Sequence, residues 1–172
     1  MPNATAATTA TAAAIPAWVP ALLLGLVWLG WKQTRPRTVR PAVVGGIALG
    51  MLVFSLAGVI RAFGADAAAL AAWGAGLATV LALGAAGWAP RGLQSLGRQQ
   101  VHLPGSWVPM GLLLTVFAAK FALGTVVAMR SPLLADAAFV TALCALLGAV
   151  SGGFGVRALA VQRCAQPHPT AA

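Results

Sequence analysis

The sequence predicts an all-α membrane protein, a bundle of five transmembrane helices, and three observations carry that expectation. Of 172 residues, 60% are apolar and only 8% are charged, against roughly 25% charged in soluble globular chains. Five apolar runs recur, each near the ~20 residues that a helix needs to cross the hydrocarbon core. Lys and Arg gather just outside those runs, where they act as topology signals and contacts for anionic lipid. The net charge of +9 is thereby explained without a nucleic-acid partner, since membrane lipids are the acidic surface these residues meet.

Residues 1–14, MPNATAATTATAAA, form an Ala/Thr segment without Lys or Arg. They lack the basic start of a secretory signal and read as a disordered periplasmic tail. The first span, 15–31, is followed at once by Lys32, Arg35, Arg37 and Arg40, the mark of a retained anchor whose N-terminus lies outside. Pro16 and Pro20 sit in its first turns, where missing backbone donors cost least.

The second span, 41–60, carries Ser55 as its one polar side chain. After the short connection RAFGAD comes a third span, 67–88, so rich in Ala and Gly that it is expected to pack among other helices. Residues 89–106 hold Pro90, Gly92, Gly97, Pro104 and Gly105 as breakers and read as a loop at the cytoplasmic interface. The fourth span is 107–129 and the fifth 137–160, with Asp136 as a natural N-cap. Residues 161–172, with Pro167 and Pro169, read as a cytoplasmic tail.

Counting basic residues near span ends orients the chain. Lys32, Arg35, Arg37, Arg40, Arg91, Arg98, Arg157 and Arg163 fall on one side, and only Arg61 and Arg130 on the other. The expected location is therefore the bacterial cytoplasmic (inner) membrane, with the N-terminus periplasmic and the C-terminus cytoplasmic. Trp18, Trp31, Trp88 and Trp107 lie near span ends, where an indole meets the headgroup layer, while Trp28 and Trp73 sit deeper.

Chemistry is scarce. Cys144 and Cys164 are about 30 Å apart on a continuous helix, too far for a disulfide, and read as a packing residue and a free thiol. A proton-coupled pump places an acid inside the membrane, whereas Asp66 and Asp136 stand at span ends. His102 falls in a loop and His168 in a tail, so no convergent haem or metal ligands are expected. The run Ser151-Gly152-Gly153-Phe154-Gly155-Val156-Arg157 lacks the Gly-Lys-Ser/Thr ending of a phosphate loop. No catalytic set and no cofactor is expected, and a Ser/Lys dyad of Ser55 or Ser151 with Lys120 is only a formal option.

Lys120 stands out because a lysine at the middle of a spanning helix costs roughly 2.5–3.5 kcal/mol on insertion scales. Two readings stay open: the ammonium snorkels to the periplasmic mouth near Asp66 or Asp136, or it lines an internal cavity. Small residues also recur at packing spacing, Gly46 with Gly50 and Gly148 with Gly152, and are candidate helix contact seams.

His102-Leu103-Pro104-Gly105-Ser106-Trp107, then Phe117, Lys120-Phe121 and Gly124, then Ser151-Gly152, Phe154-Gly155 and Arg157, resemble an uncharacterised family of small proteobacterial inner-membrane proteins. Gly30-Trp31-Lys32-Gln33, Ser55-Leu56, Gly58 and Phe63-Gly64 are similar to its first half. The residue after the lysine is often Tyr in that family and is Phe121 here. The family is a domain of unknown function, so the resemblance implies location and fold and no activity. It adds weight to Lys120, Gly105, Ser106 and Trp107 as functional residues. Two functions follow as expectations: a non-enzymatic accessory component that packs in a larger membrane complex or a homodimer, or a small permease or channel with Lys120 at a solute site.

Overall fold

A computed structural model describes residues 18–87, 92–97, 100–129 and 132–166. The expected tail 1–14, Pro16, Trp88, Pro90, Arg91, Arg98, Arg130 and residues 167–172 lie outside that set. Five α-helices carry the chain: α1 Trp18–Gln33, α2 Pro41–Phe63, α3 Ala67–Ala85, α4 Val108–Ala128 and α5 Ala137–Ala165. Between them lie strands β1 Arg37–Val39, β2 Gln94–Gly97 and β3 Gln100–Leu103, and a 3-10 turn, Pro132–Ala135.

Helix boundaries follow local chemistry. Pro41 and Pro109 open α2 and α4, at first-turn positions where a missing N–H breaks no bond. Asp66 caps α3 by accepting from Ala69 N at 2.8 Å. Asp136 caps α5, as expected, accepting from Ala138 N at 2.8 Å. Gly64, at φ +70°, ends α2 in a conformation that costs a side chain dearly.

Helix α5 is the mast. Half of its apolar window is buried inside the protein, against 11–17% for α2, α3 and α4. Its closest neighbour is α3, then α2, and the reason is side-chain size. A Cβ at Gly148 would fall on the carbonyl of Trp73, and one at Gly76 on the carbonyl of Ala145, so the two backbones touch where side chains are missing. Without water to expel inside a bilayer, such close van der Waals approach is what holds helices together. Trp73 Nε1 donates to Ser55 Oγ at 3.1 Å, and Ser55 donates to the Leu147 carbonyl at 3.3 Å. Ser151 donates to the same carbonyl at 2.9 Å. These bonds tie α2, α3 and α5 together in the middle of the bundle.

Two expectations need correction. Residues 89–106 are more than a loop: β3 pairs antiparallel with β1 (Thr38 opposite His102) and with β2 (Ser95 opposite Val101), in the order β1-β3-β2. Residues 161–165 are helix rather than tail, because Val161 is fully buried against Val101 and Leu103 beneath that sheet. At about 1.5 Å per residue α5 is ~43 Å long, more than a ~30 Å hydrocarbon core, so its end reaches the sheet. Of the five expected spans, four coincide with helices, α2 to α5, that among the described residues are long and apolar enough to cross a membrane. Helix α1 has 16 described residues and falls short of that length. The fold is thus a multi-pass helical membrane protein with a small sheet at one end.

Candidate functional site

Lys120 projects from the middle of α4 and is half-buried. Its Nζ lodges against α2 at Gly58, where a Cβ would collide with it, and lies 5.0 Å from the centroid of the Phe54 ring. That is cation–π geometry. Phe117, one turn back on α4, lies 6.1 Å from the Phe121 ring. Gly58 is five residues from the end of α2 at Phe63, about 7–8 Å of helix, so the ammonium stops short of that end. Among the described residues it meets no carboxylate: Asp66 and Asp136 are engaged by the backbone N–H groups that they cap.

Neither sequence reading of Lys120 describes this arrangement fully. The side chain leaves its own helix and sets its ammonium over a ring face, in the space a side chain at position 58 would fill. The formal Ser/Lys dyad does not form, since Ser55 and Ser151 donate to the Leu147 carbonyl instead.

Gly105, Ser106 and Trp107 lie at the other end of α4, ~20 Å of helix from Lys120, and do not join it in one site. A Cβ at Gly105 would fall on the Thr34 carbonyl, Ser106 N donates to Gln33 O at 3.3 Å, and Ser106 Oγ accepts from Val108 N at 3.2 Å. The Pro-Gly-Ser-Trp element is therefore a joint that fastens the end of α1 to the start of α4. Trp107 remains exposed, at the level where a headgroup layer would meet it.

The two glycine pairs part company. Gly148 meets Trp73 and Leu77, and Gly152 meets Leu77 and Val80, all on α3. A Cβ at Gly46 or Gly50 would meet nothing within 4 Å. Those two glycines line a shallow groove of about 660 Å³ along α2, with Leu49, Val53, Phe54 and Arg61.

Cys144 is buried and Cys164 partly so, and both thiols are free. Among the described residues no three His, Cys, Asp or Glu side chains converge. The burial of Arg157 went unread in the sequence, where it counts as a flanking charge and as part of the resemblance; it is 9% exposed. Its position two turns before the end of an apolar helix was the available signal.

A central helix ringed by apolar helices, a polar network at mid-height and a small sheet at one end define a multi-pass membrane protein. Residues 5–172 match the family of unknown function DUF6622, and the chain belongs to that family. No curated protein and no solved structure matches it.

Proposed function

We propose that this chain is a non-enzymatic accessory component of the bacterial inner membrane, which packs against a larger membrane protein through the outer face of α2. In this reading α1 completes a fifth crossing, the N-terminus is periplasmic, and the sheet and C-terminus are cytoplasmic, following the eight-to-two distribution of basic residues. The observation that carries it is the contrast between glycine pairs: the α5 pair is consumed by α3, while the α2 pair is open on a helix only 11% buried. Small residues that admit no internal neighbour suit a second helix backbone. A permease draws no comparable support, because Lys120 meets a ring and a glycine rather than a polar cavity.

The test is purification in mild detergent with a photo-crosslinking residue at Leu49, in wild-type and Gly50→Leu backgrounds. A discrete crosslinked species that disappears in Gly50→Leu, with the monomer's melting temperature unchanged, is the expected outcome. A self-crosslink would replace the accessory role with a homodimer. Identical crosslinks in both backgrounds would remove the α2 face from the account.

A further inference from the structure

Two arginines at the sheet end of the molecule, Arg37 and Arg157, are withdrawn from solvent, and no described acid lies there to balance them. Arg157 is 9% exposed on α5. Arg37 is half-buried: one terminal nitrogen donates to Gln33 Oε1 at 3.3 Å, while its Nε is buried with no hydrogen-bond partner among the described residues. The chain has only two acidic side chains, Asp66 and Asp136, and both cap helices at the opposite end. Neither can reach Arg157, since 21 residues of α5 separate it from Asp136, about 31 Å.

A guanidinium nitrogen buried without a partner has given up its hydration, and an anion lying against it restores the missing bond. Arg37 also belongs to a groove of about 890 Å³, lined by Leu24, Val27, Trp28, Trp31, Lys32 and Arg35. The groove is graded along its length. Leu24, Val27 and Trp28 make an apolar wall on α1, and Lys32, Arg35 and Arg37 form a cationic rim beyond it. Lys32 Nζ stands 4.6 Å from the centroid of the Trp28 ring, at the point where the two characters meet. An apolar wall running up to a rim of guanidiniums matches an acyl chain ending in a phosphate, and Arg binds phosphate through two parallel N–H donors.

We propose that this groove is a binding site for one anionic phospholipid, with the phosphodiester on Arg37, the headgroup on Lys32 and Arg35, and an acyl chain along Leu24, Val27 and Trp28. The lipid supplies the negative charge that the sheet end lacks. The site is distinct from the α2 face and does not depend on it.

The experiment is thermal melting and native mass spectrometry of the full chain in neutral detergent, with added phosphatidylglycerol, phosphatidylcholine or inorganic phosphate. Wild type is expected to retain phosphatidylglycerol at least five-fold over phosphatidylcholine and to melt higher with it. Arg37→Gln is expected to lose most of that preference, while Arg163→Gln, an equal change of charge on an exposed residue of α5, keeps it. Equal losses in Arg37→Gln and Arg163→Gln would overturn the site in favour of diffuse surface charge. Stabilisation by inorganic phosphate as large as by phosphatidylglycerol would overturn the lipid assignment.

Discussion

The pairs Gly46/Gly50 and Gly148/Gly152 have the same spacing and similar neighbours in sequence, yet one is a closed seam between backbones and the other faces open space. The difference comes from their helices. Helix α5 lies between α2, α3 and α4, so any small face on it finds a backbone, and its glycines allow Trp73 and Leu77 to approach. Helix α2 turns Ser55 and Val59 inward and leaves Gly46, Gly50 and Val53 outside. Small-residue spacing thus marks where two backbones can meet, and the surrounding bundle decides whether the second one is already present.

The largest effect is expected where the seam is closed. Gly148→Leu drives a side chain into the Trp73 carbonyl, so a loss at or above the upper end of the ~1–3 kcal/mol seen for overpacking should appear as failed expression or a collapsed melting transition in detergent. A normal melting temperature for this variant would mean that α3 and α5 are not in backbone contact.

Gly105→Ala comes next. Its methyl group meets the Thr34 carbonyl at the joint between α1 and α4, and a loss of about 1–3 kcal/mol is expected. Because the joint holds α1, limited proteolysis at residues 34–36 should speed up before the bundle melts.

Trp73→Phe removes the donor to Ser55 and keeps a smaller aromatic ring in its place. Hydrogen bonds within membranes average about 0.6 kcal/mol, so the melting temperature should fall only slightly. A large drop would raise the polar network to a principal support of the fold.

Lys120→Met is expected to hold or raise stability, since it removes the ~2.5–3.5 kcal/mol insertion cost and forfeits a cation–π contact of about 0.5–2 kcal/mol. A marked loss would show that the ammonium serves a partner beyond Phe54. Gly50→Leu should change the melting temperature least, within the ±0.5 kcal/mol usual for surface positions, and this sets it apart from Gly148→Leu most sharply.

Much of the fold was legible in the sequence because apolar runs of spanning length leave few alternatives. Helices α2 to α5 lie where hydropathy places them, and the cap at Asp136 follows from residue type. The sheet was not legible. Strands of three or four residues such as Arg37-Thr38-Val39 carry no period to read, and their pairing joins segments more than sixty residues apart. Lys120 stood out because its charge is costly in an apolar run, but its resting place on Gly58 and Phe54 depends on which helices meet. Arg157 was hidden for the opposite reason: near the end of a span an arginine is ordinary, and only the packing of the sheet against α5 shows that it is buried.

The partnership of α1 with α4, sealed by Gly30 against Met110 and by Gly105 against Thr34, has a consequence in time. Helix α1 is complete at Gln33, and α4 does not begin until Val108. At roughly 5–20 residues per second of synthesis, about 4–15 s pass between the two. For that interval α1 lacks the mate it has in the finished fold, and its Trp28 and Trp31 rings face lipid or the insertion machinery. The order in which the helices are made is therefore not the order in which they pair, and α1 can take its place only after α2 and α3 have been delivered to the membrane.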